Sequence, residues 1–282
     1  MKQPNYCFQH KYNLIKNNMT LRALKSIPDW HHYYDIKRSE DCLYLNIFVP
    51  ETDKTNLTVM VWIHGGSFQS GSNTFFDGSI LASKTDVIVV AINYRLNIFG
   101  FISAEDSELE GNYGLYDQVL ALKWIKDNIK NFGGNPNNIV LFGESAGGIS
   151  VGYHLISPKS QNLFSRAILQ SGNPMVPIMI LSKQTQTKAA IEVVRRGGCP
   201  LSQTSENNST QTLDDMSISC LRQLNASFLY ELSNEAFYKG RGRFLPVEGN
   251  DFFEEHPINL VKKKKFFGNK QIMIGTNAVE GL

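Results

Sequence analysis

Five short runs of consecutive apolar residues divide the middle of the chain, and they constrain its fold more than any other feature. They lie at 59–63, 86–92, 138–142, 166–170 and 271–275. Because their apolar residues are continuous rather than alternating, the runs are typical of strands buried on both faces of a sheet. Helical patterns separate them, so we expect an α/β fold in which helices flank a central, mostly parallel sheet.

The strongest helical pattern covers residues 114–132. Its apolar residues recur at spacings of three and four, and we expect a buried stripe made of Leu115, Val119, Leu122, Ile125, Ile129 and Phe132. We expect Tyr116, Leu120 and Trp124 to widen this stripe into a broad buried face. Two glycines and Pro136 then end the helix.

Residues 182–240 differ from the alternating part of the chain. They are polar and mostly helical in pattern, and a loop at 202–214 is rich in Ser, Thr and Asn. We predict that this span is a mostly helical insertion above the sheet. Residues 1–40 have little pattern and are interpreted as surface loop with short helices.

Composition and charge argue against two classes of partner. No apolar run reaches the roughly 18 residues of a membrane helix, so we expect no integral membrane segment in this chain. The formal net charge of +2 does not favour nucleic acid, and the basic run from Lys262 to Lys265 fits a solvated helix end. The N-terminus lacks the apolar region of a signal peptide.

Cysteines and glycosylation sequons nevertheless indicate an extracellular protein. The four cysteines fall into two neighbourhoods in the sequence, Cys7 with Cys42 and Cys199 with Cys220, and four unpaired thiols are the alternative. Five N-x-[ST] sequons occur, of which Asn56 is a poor acceptor because we expect it to open a strand. The candidate glycosylation sites are Asn18, Asn207, Asn208 and Asn225.

Ser145 is the candidate nucleophile. It lies in LFGESAGG, residues 141–148, with G-x-S-x-G spacing between a predicted strand and a predicted helix. Gly143 and Gly147 lack a Cβ, which lets strand and helix approach closely around a strained turn. The serine then lies at the carboxyl edge of the sheet, where open α/β sheets bind ligands. The alternative is a serine that only caps the helix.

The segment WIHGGSF, residues 62–68, is the candidate oxyanion hole. It follows a strand and is rich in glycine, so its backbone N–H groups are available to a developing negative charge. We assign the donors to the N–H groups of Gly66, Ser67 and Ala146. The alternative is an ordinary turn at the end of a strand.

These segments resemble a known family. SEDCLYLNIFVP at 39–50 and LFGESAGGISVG at 141–152 are similar to the two signatures of the type-B carboxylesterases, the α/β-hydrolase family that includes cholinesterases. GNYGLYDQVLALKWIKDNIKNFGGNP, SPKSQNLFSRAILQSG and CLRQL match the family in order and spacing, and the resemblance covers nearly the whole chain. It implies an α/β-hydrolase fold and a serine esterase, secreted or membrane-attached, that acts on small carboxylic esters without a cofactor or metal.

The resemblance also implies the disulfides Cys7–Cys42 and Cys199–Cys220, and a triad acid at Glu280 in IGTNAVEGL. In this fold the order is serine, acid, histidine, but Glu280 lies two residues from the last residue, Leu282. The six histidines are His10, His31, His32, His64, His154 and His256.

None of the six fits the role of base. His154 lies nine residues along the same helix as Ser145, about 13 Å away at 1.5 Å per residue. His64 begins the oxyanion segment, where cholinesterases place a tyrosine. The other four lie in the N-terminal loop region or before Pro257.

We therefore expect residues 1–282 to be a partial carboxylesterase domain, incomplete at both termini, with little activity alone. It is either a fragment of a full esterase or a truncated protein without catalysis. A different class is a non-catalytic, cholinesterase-like adhesion protein such as a neuroligin. Retention of Ser145, Glu280 and the oxyanion segment favours an enzyme.

The substrate is less constrained by the sequence. Trp30 lies near the position of the cholinesterase tryptophan that stacks on a cation, but the spacing is longer. Ile178, Gly240 and Gly242 fall near positions where cholinesterases carry acyl-pocket aromatics. These departures from the cholinesterase pattern predict a wider acyl site, closer to that of a general carboxylesterase. We expect Glu144 to shape the serine turn and to add negative potential.

Overall fold

The computed structural model describes residues 5–9, 37–105, 107–203, 211–238, 243–266 and 269–280. The strands are β1 Leu45–Phe48, β2 Leu57–Ile63, β3 Ile88–Ile92, β4 Gly134–Glu144, β5 Arg166–Gln170, β6 Ser202–Gln203, β7 Gln211–Thr212 and β8 Gln271–Gly275. The α-helices are α1 Ser79–Thr85, α2 Asn97–Phe101, α3 Tyr113–Asn128, α4 Ala146–Ile156, α5 Lys183–Arg196, α6 Asp215–Gln223, α7 Ala226–Tyr238 and α8 Pro257–Lys262. Short 3₁₀ helices occupy Asn73–Phe75, Ile129–Phe132 and Pro177–Met179.

Six strands form one sheet in the order β1-β3-β2-β4-β5-β8. β1 pairs antiparallel with β3, and every other pairing in this sheet is parallel. All five predicted runs are strands of this sheet, which confirms the α/β prediction. β1 was not predicted, and its four residues are only half-buried, as an edge strand allows.

Two strand bounds differ from the predicted ones for local reasons. The run at 86–92 becomes a strand only at Ile88, because Asp86 ends α1 in a left-handed conformation with φ of 50°. β4 extends from 134 to 144, beyond the apolar run at 138–142, because the chain pairs with β2 from Leu57 onward. Asn56, which we expected to open a strand, is exposed and precedes β2 by one residue.

The broad buried face predicted for the long helix is wrong. Five residues of the narrow stripe are buried, namely Leu115, Val119, Leu122, Ile125 and Ile129. Leu120, Trp124 and Phe132 are 63%, 41% and 40% exposed, since α3 turns only one side towards the sheet. The predicted stop is confirmed: Gly133 caps the end with φ of 85° and donates to the carbonyls of Ile129 and Lys130.

The sheet has a topological switch point at β2. The chain leaves β2 to form β3 on one side and then returns to form β4 on the other. Ile63 and Gly143 are register partners at the carboxyl ends of β2 and β4, so the residues after these two strands emerge side by side. Ligands of open α/β sheets bind in the crevice at such a point.

The span at 182–240 contains α5, α6, α7 and the small β6–β7 ladder. The disulfide Cys199–Cys220 lies within it, and a second disulfide joins Cys7 to Cys42. Both pairings agree with the resemblance. No helix of the described ranges has the length and apolarity needed to cross a membrane.

Several residues singled out in the sequence lie outside the described residues. They are Asn18, Asn207 and Asn208, Trp30, Gly240 and Gly242, and His10, His31 and His32. The basic run is described: α8 ends at Lys262, and Lys263 pairs with Glu255 at 2.6 Å.

Candidate active site

Ser145 occupies the turn between β4 and α4 in a strained conformation. Its φ is 55° and its ψ is −122°, a region that non-glycine residues seldom adopt and that requires support from the surroundings. The backbone N–H of Ser145 donates to the carbonyl of Gln170 at 2.9 Å, and its own carbonyl accepts from Ile149 at 2.9 Å. The side chain is half-buried and makes no capping hydrogen bond, so capping does not explain the serine.

The two glycines of the motif leave no space for a side chain. A Cβ on Gly147 would lie 2.0 Å from the carbonyl oxygen of Ile63, and one on Gly143 would lie 2.6 Å from the carbonyl carbon of Gly147. The turn therefore packs directly against the end of β2. This close contact fixes the serine relative to the segment that follows β2.

The candidate oxyanion segment begins where β2 ends. A Cβ on Gly65 would lie 3.2 Å from the Cβ of Ser145, so the segment passes beside the serine. Gly66 has φ of 107° and Ser67 has φ of 56°, which turns the chain sharply. Within the described part of the chain, the N–H groups of Gly66 and Ser67 have no hydrogen-bond acceptor.

Ala146 supplies a third N–H group near the serine. It is the first residue of α4, and the N–H groups of a first helical turn have no partner inside the helix. All eleven residues of α4 are buried, and the helix N-terminus carries a partial positive charge. The helix thus begins directly after Ser145, and the segment that follows β2 passes beside the same serine.

Glu280 lies in the turn after β8, and sequence reasoning missed its main partner. Ser171 Oγ donates to Glu280 Oε1 at 2.6 Å, and the backbone N–H of Asn277 donates to the same oxygen at 2.6 Å. The Ser171 hydroxyl, followed by the Asn277 N–H, lowers the pKa of Glu280, so the exposed carboxylate is held ionised. Ser171 directly follows Gln170, whose carbonyl binds Ser145, so acid and serine share one sheet edge.

His64 is buried at the start of the oxyanion segment. Its ring stacks on Tyr94 with centroids 4.3 Å apart, and its Nδ1 donates to the carbonyl of Gly65 at 2.9 Å. Nε2 has no partner among the described residues. Burial lowers the pKa of His64 to about 4, so the ring is neutral near pH 7.

The other two described histidines are also engaged away from the serine. His154 is fully buried in α4, with Nε2 2.9 Å from Gln118 Oε1 and Nδ1 3.1 Å from Ser160 Oγ. His256 Nδ1 accepts from the backbone N–H of Ile258 and caps α8. Among the described histidines, none is hydrogen-bonded to Ser145 or Glu280.

A cleft of about 400 Å³ opens beside the oxyanion segment. Aromatic side chains form much of its wall, namely Trp62, Phe75 and Phe76. The exposed carboxylate of Glu144 lies at the same cleft, next to the nucleophile in the sequence. The aromatic wall and the carboxylate of Glu144 suit a ligand group that is apolar and carries a cation or a hydrogen-bond donor at one end. Among the described residues, no group of His, Cys, Asp and Glu could hold a metal ion.

Comparisons with known proteins agree with this geometry. The sequence profile described as "Carboxylesterase family" matches residues 1–282. The chain is 44% identical to acetylcholinesterase of Electrophorus electricus over 250 residues, which is 86% of this chain and 38% of that protein. It is 38% identical to carboxylesterase 5A of Felis catus over 277 residues, or 97% of this chain and 46% of that protein.

The chain thus spans less than half the length of these curated relatives. The profile match covers every residue, however, and the identities extend over most of the chain. The chain belongs to the carboxylesterase family.

Proposed function

We propose that this protein is a carboxylic ester hydrolase that acts through an acyl-enzyme on Ser145. The observation that carries the proposal is the strained serine that follows β4: its side chain makes no capping hydrogen bond, and the segment after β2 passes beside it. Among the described residues, the N–H groups of Gly66 and Ser67 in that segment have no acceptor. A strained serine at a sharp strand-to-helix turn is the arrangement that α/β-hydrolases use for a nucleophile. Family membership supports the same chemistry.

The reaction follows from the positions of these groups. Ser145 Oγ attacks the ester carbonyl carbon while a general base takes its proton, and the carbonyl oxygen becomes an oxyanion. The N–H groups of Gly66, Ser67 and Ala146 stabilise that oxyanion. Collapse of the intermediate transfers the proton to the departing alcohol and leaves an acyl-serine, which water then hydrolyses by the same steps.

We propose Glu280 as the acid that orients the base. It is ionised because of Ser171 and Asn277, and a carboxylate in this role stabilises the imidazolium that forms as the base takes a proton. Its position at the edge that holds Ser145 supports the assignment.

We propose that the base is a histidine outside these 282 residues. Each of the three described histidines has a hydrogen bond to a group other than Ser145 or Glu280, and the remaining three lie in the N-terminal region. The curated relatives are more than twice as long as the matched part, which is compatible with a further histidine. Transcript sequencing past the Leu282 codon tests this: a reading frame that ends there without a histidine would overturn it.

The substrate that we propose is a small carboxylic ester of the general carboxylesterase type. Glu144, the residue before Ser145, lines the cleft together with aromatic side chains, and we propose this cleft as the place of the alcohol part of such an ester. Ile178, near the place of an aromatic acyl-pocket residue in cholinesterases, is 70% exposed in this chain. We expect the complete protein to hydrolyse naphthyl acetate faster than acetylthiocholine, and the reverse order would contradict this assignment.

We propose an extracellular location for the protein. All four cysteines of the pairs Cys7–Cys42 and Cys199–Cys220 form disulfides. Disulfides persist in oxidising compartments, whereas intracellular thiols are normally kept reduced. Microscopy and fractionation of the natural host's cells and medium test the location, and a cytosolic, reduced protein would contradict it.

Labelling with a fluorophosphonate tests the function directly. The probe is applied to protein made from the complete natural coding sequence, with Ser145→Ala as the control. We expect irreversible labelling of the wild type and none of the variant. Failure to label would favour the non-catalytic adhesion protein. For residues 1–282 alone we expect little hydrolysis of p-nitrophenyl acetate, and robust turnover that Ser145→Ala abolishes would disprove the absence of a base.

A further inference from the structure

Three successive residues of the oxyanion segment have positive φ angles. Gly66, Ser67 and Phe68 have φ of 107°, 56° and 60°, and only the first is a glycine. Such conformations are sparsely populated, and they persist only where surrounding contacts impose them. The segment must therefore be fixed by contacts outside itself, and those contacts decide where its N–H groups point.

Two anchors hold the middle of the segment. The side chain of Phe68 is fully buried, with its ring centroid 5.2 Å from that of Phe101 and 6.5 Å from that of Tyr153. The carbonyl of Phe68 accepts from the N–H of Asn97 at 2.8 Å. These contacts fix Phe68 from the side of α2 and α4.

The next residue, Gln69, makes a contact of a different kind. Its side-chain Nε2 donates to the carbonyl of Phe244 at 2.8 Å, across 175 positions of sequence. Its backbone N–H donates to the carbonyl of Gly66 at 2.9 Å and closes the turn. Gln69 therefore links the turn that contains the proposed donors to the segment at Phe244.

That segment is itself fixed in place. The carbonyls of Phe244, Leu245, Pro246 and Val247 each accept a hydrogen bond from a different part of the chain. Their donors are, in order, Gln69 Nε2, Gln186 Nε2, the backbone N–H of Leu181 and Asn112 Nδ2. Phe244, Leu245 and Val247 are also almost completely buried. The segment from Phe244 to Val247 is thus a rigid support for the side chain of Gln69.

We propose that Gln69 is a positioning residue for the oxyanion hole: its bond to Phe244 sets the place of the N–H groups of Gly66 and Ser67. This inference rests on the proposed function. Oxyanion donors act at about 2.7–3.1 Å from the developing charge, and a displacement near 1 Å is enough to cost a large factor in rate. In this role Gln69 acts through the backbone and not by contact with the substrate.

Substitution of Gln69 by Met tests the proposal, because Met keeps the length and removes the donor. Gln186→Met is the matched control, since it removes a bond to the neighbouring carbonyl without touching the oxyanion segment. The variants are made in protein from the complete natural coding sequence. Three quantities are measured: kcat and KM for p-nitrophenyl acetate, the Ki of a trifluoromethyl ketone that binds as a tetrahedral adduct, and amide hydrogen exchange over residues 64–71.

For Gln69→Met we expect kcat to fall about tenfold and Ki to rise by the same factor, with KM nearly unchanged, because only charge developed in the transition state is affected. Exchange over residues 64–71 becomes faster. We expect Gln186→Met to leave all three quantities near wild-type values, because the bonds to the carbonyls of Phe244, Pro246 and Val247 still hold the segment. Equal effects of the two variants would reduce Gln69 to a structural role and overturn the proposal.

The exchange measurement keeps this proposal separate from the proposed function. A wild type that neither turns over esters nor reacts with a fluorophosphonate would refute the function. Unchanged exchange over residues 64–71 in Gln69→Met would refute the anchoring by Gln69, whether or not the protein is an esterase.

Discussion

Ser171 Oγ lies 2.6 Å from Glu280 Oε1, and this hydrogen bond joins the end of β5 to the turn after β8. The backbone repeats the link, because the N–H of Ser171 donates to the carbonyl of Gly275 at 2.8 Å. Ser171 has φ of 49°, a conformation that directs it out of the strand at the carboxyl edge of the sheet. The proposed acid is thus held by a residue one position from the carbonyl that holds Ser145.

Removal of the Ser171 hydroxyl tests this link. In Ser171→Ala the pKa of Glu280 rises towards its usual value, because the largest cause of its depression is lost. The carboxylate stays charged near pH 7 but is less well oriented, so we expect kcat/KM to fall by about tenfold or less. Glu280→Gln removes the charge as well, and we expect a loss of about three to four orders of magnitude, as when a triad acid is neutralised.

Two measurements check the pair of variants in protein from the complete natural coding sequence. Steady-state kinetics gives kcat/KM, and a carboxyl ¹³C titration gives the pKa of Glu280 in Ser171→Ala. A carboxyl group whose pKa is lowered in the folded state stabilises the fold at pH values above its pKa in the unfolded chain, and this stabilisation is lost as pH falls through the folded-state pKa. In Ser171→Ala the pKa of Glu280 is less depressed, so we expect the free energy of unfolding to depend less on pH in the acidic range. Equal losses of activity in the two variants would contradict an orienting role for Ser171.

The glycine at 147 gives a prediction about stability. Its absent Cβ would lie 2.0 Å from the carbonyl oxygen of Ile63, which is backbone and cannot rotate away. We expect Gly147→Ala to lower the free energy of unfolding by more than about 3 kcal/mol, as overpacking does in a tightly packed site. Gly275→Ala is the control, because a Cβ there meets no atom within 4 Å. Urea unfolding of both variants measures the difference, and a stable Gly147→Ala protein would contradict it.

Much of the fold was predictable because its signals are local. The five apolar runs became strands, although continuous burial is confirmed only for β3 and the second half of β4. β2 and β5 are buried at alternate positions and every residue of β8 is exposed, so an apolar run marks a strand even where its burial is incomplete. The edge strand β1 carries no such mark, because its residues are half-buried and its pairing partner is β3, far along the chain. The prediction of a broad buried face on α3 failed because spacing shows which residues are apolar, whereas tertiary packing decides how many of them are buried.

The candidate site was predictable in its backbone but not in its supports. G-x-S-x-G and the glycine-rich segment have local spacing that fixes their geometry. Ser171 could have been suspected from its place directly after a buried strand, where parallel strands present ligand-binding residues. The contact of Gln69 with Phe244 spans 175 positions, and no short-range pattern predicts it.

Asn225 gives a prediction about glycosylation. It is the described sequon asparagine that precedes a helix, and its Oδ1 accepts from the N–H of Ser227 at 3.0 Å, which caps α7. Asn225 is exposed, and attachment of a glycan at Nδ2 leaves the capping oxygen in place. We therefore expect glycosylation and capping at the same residue when the protein is made in a secretory pathway.

Three variants separate these two roles of Asn225. Ser227→Ala removes the sequon and keeps the cap, Asn225→Asp does the same with a strong capping residue, and Asn225→Leu removes both. We expect all three to lose the mobility shift that a glycosidase abolishes. Only Asn225→Leu should lose about 1 kcal/mol of stability through the cap. A wild type without a glycosidase-sensitive shift would disprove glycosylation at this site.

The buried histidines predict how stability depends on pH. Burial lowers the pKa of His154 to about 3 and that of His64 to about 4, whereas an exposed histidine titrates near 6.5. As pH falls through about 6.5, the unfolded chain binds protons at both rings and the folded chain does not. The unfolded state is then favoured, so stability decreases with falling pH by about 1.4 kcal/mol per histidine and pH unit at most.

Urea unfolding at about pH 7 and about pH 5 measures this dependence. We expect wild-type stability to be lower at the acidic pH. We expect His154→Gln to reduce the pH-dependent loss, because it removes one of the two rings that take up a proton on unfolding. Glutamine keeps hydrogen-bonding groups within reach of Gln118 and Ser160, the two present partners of His154, so the variant should remain folded at neutral pH. An identical pH dependence in the variant and the wild type would mean that His154 is not kept neutral by burial.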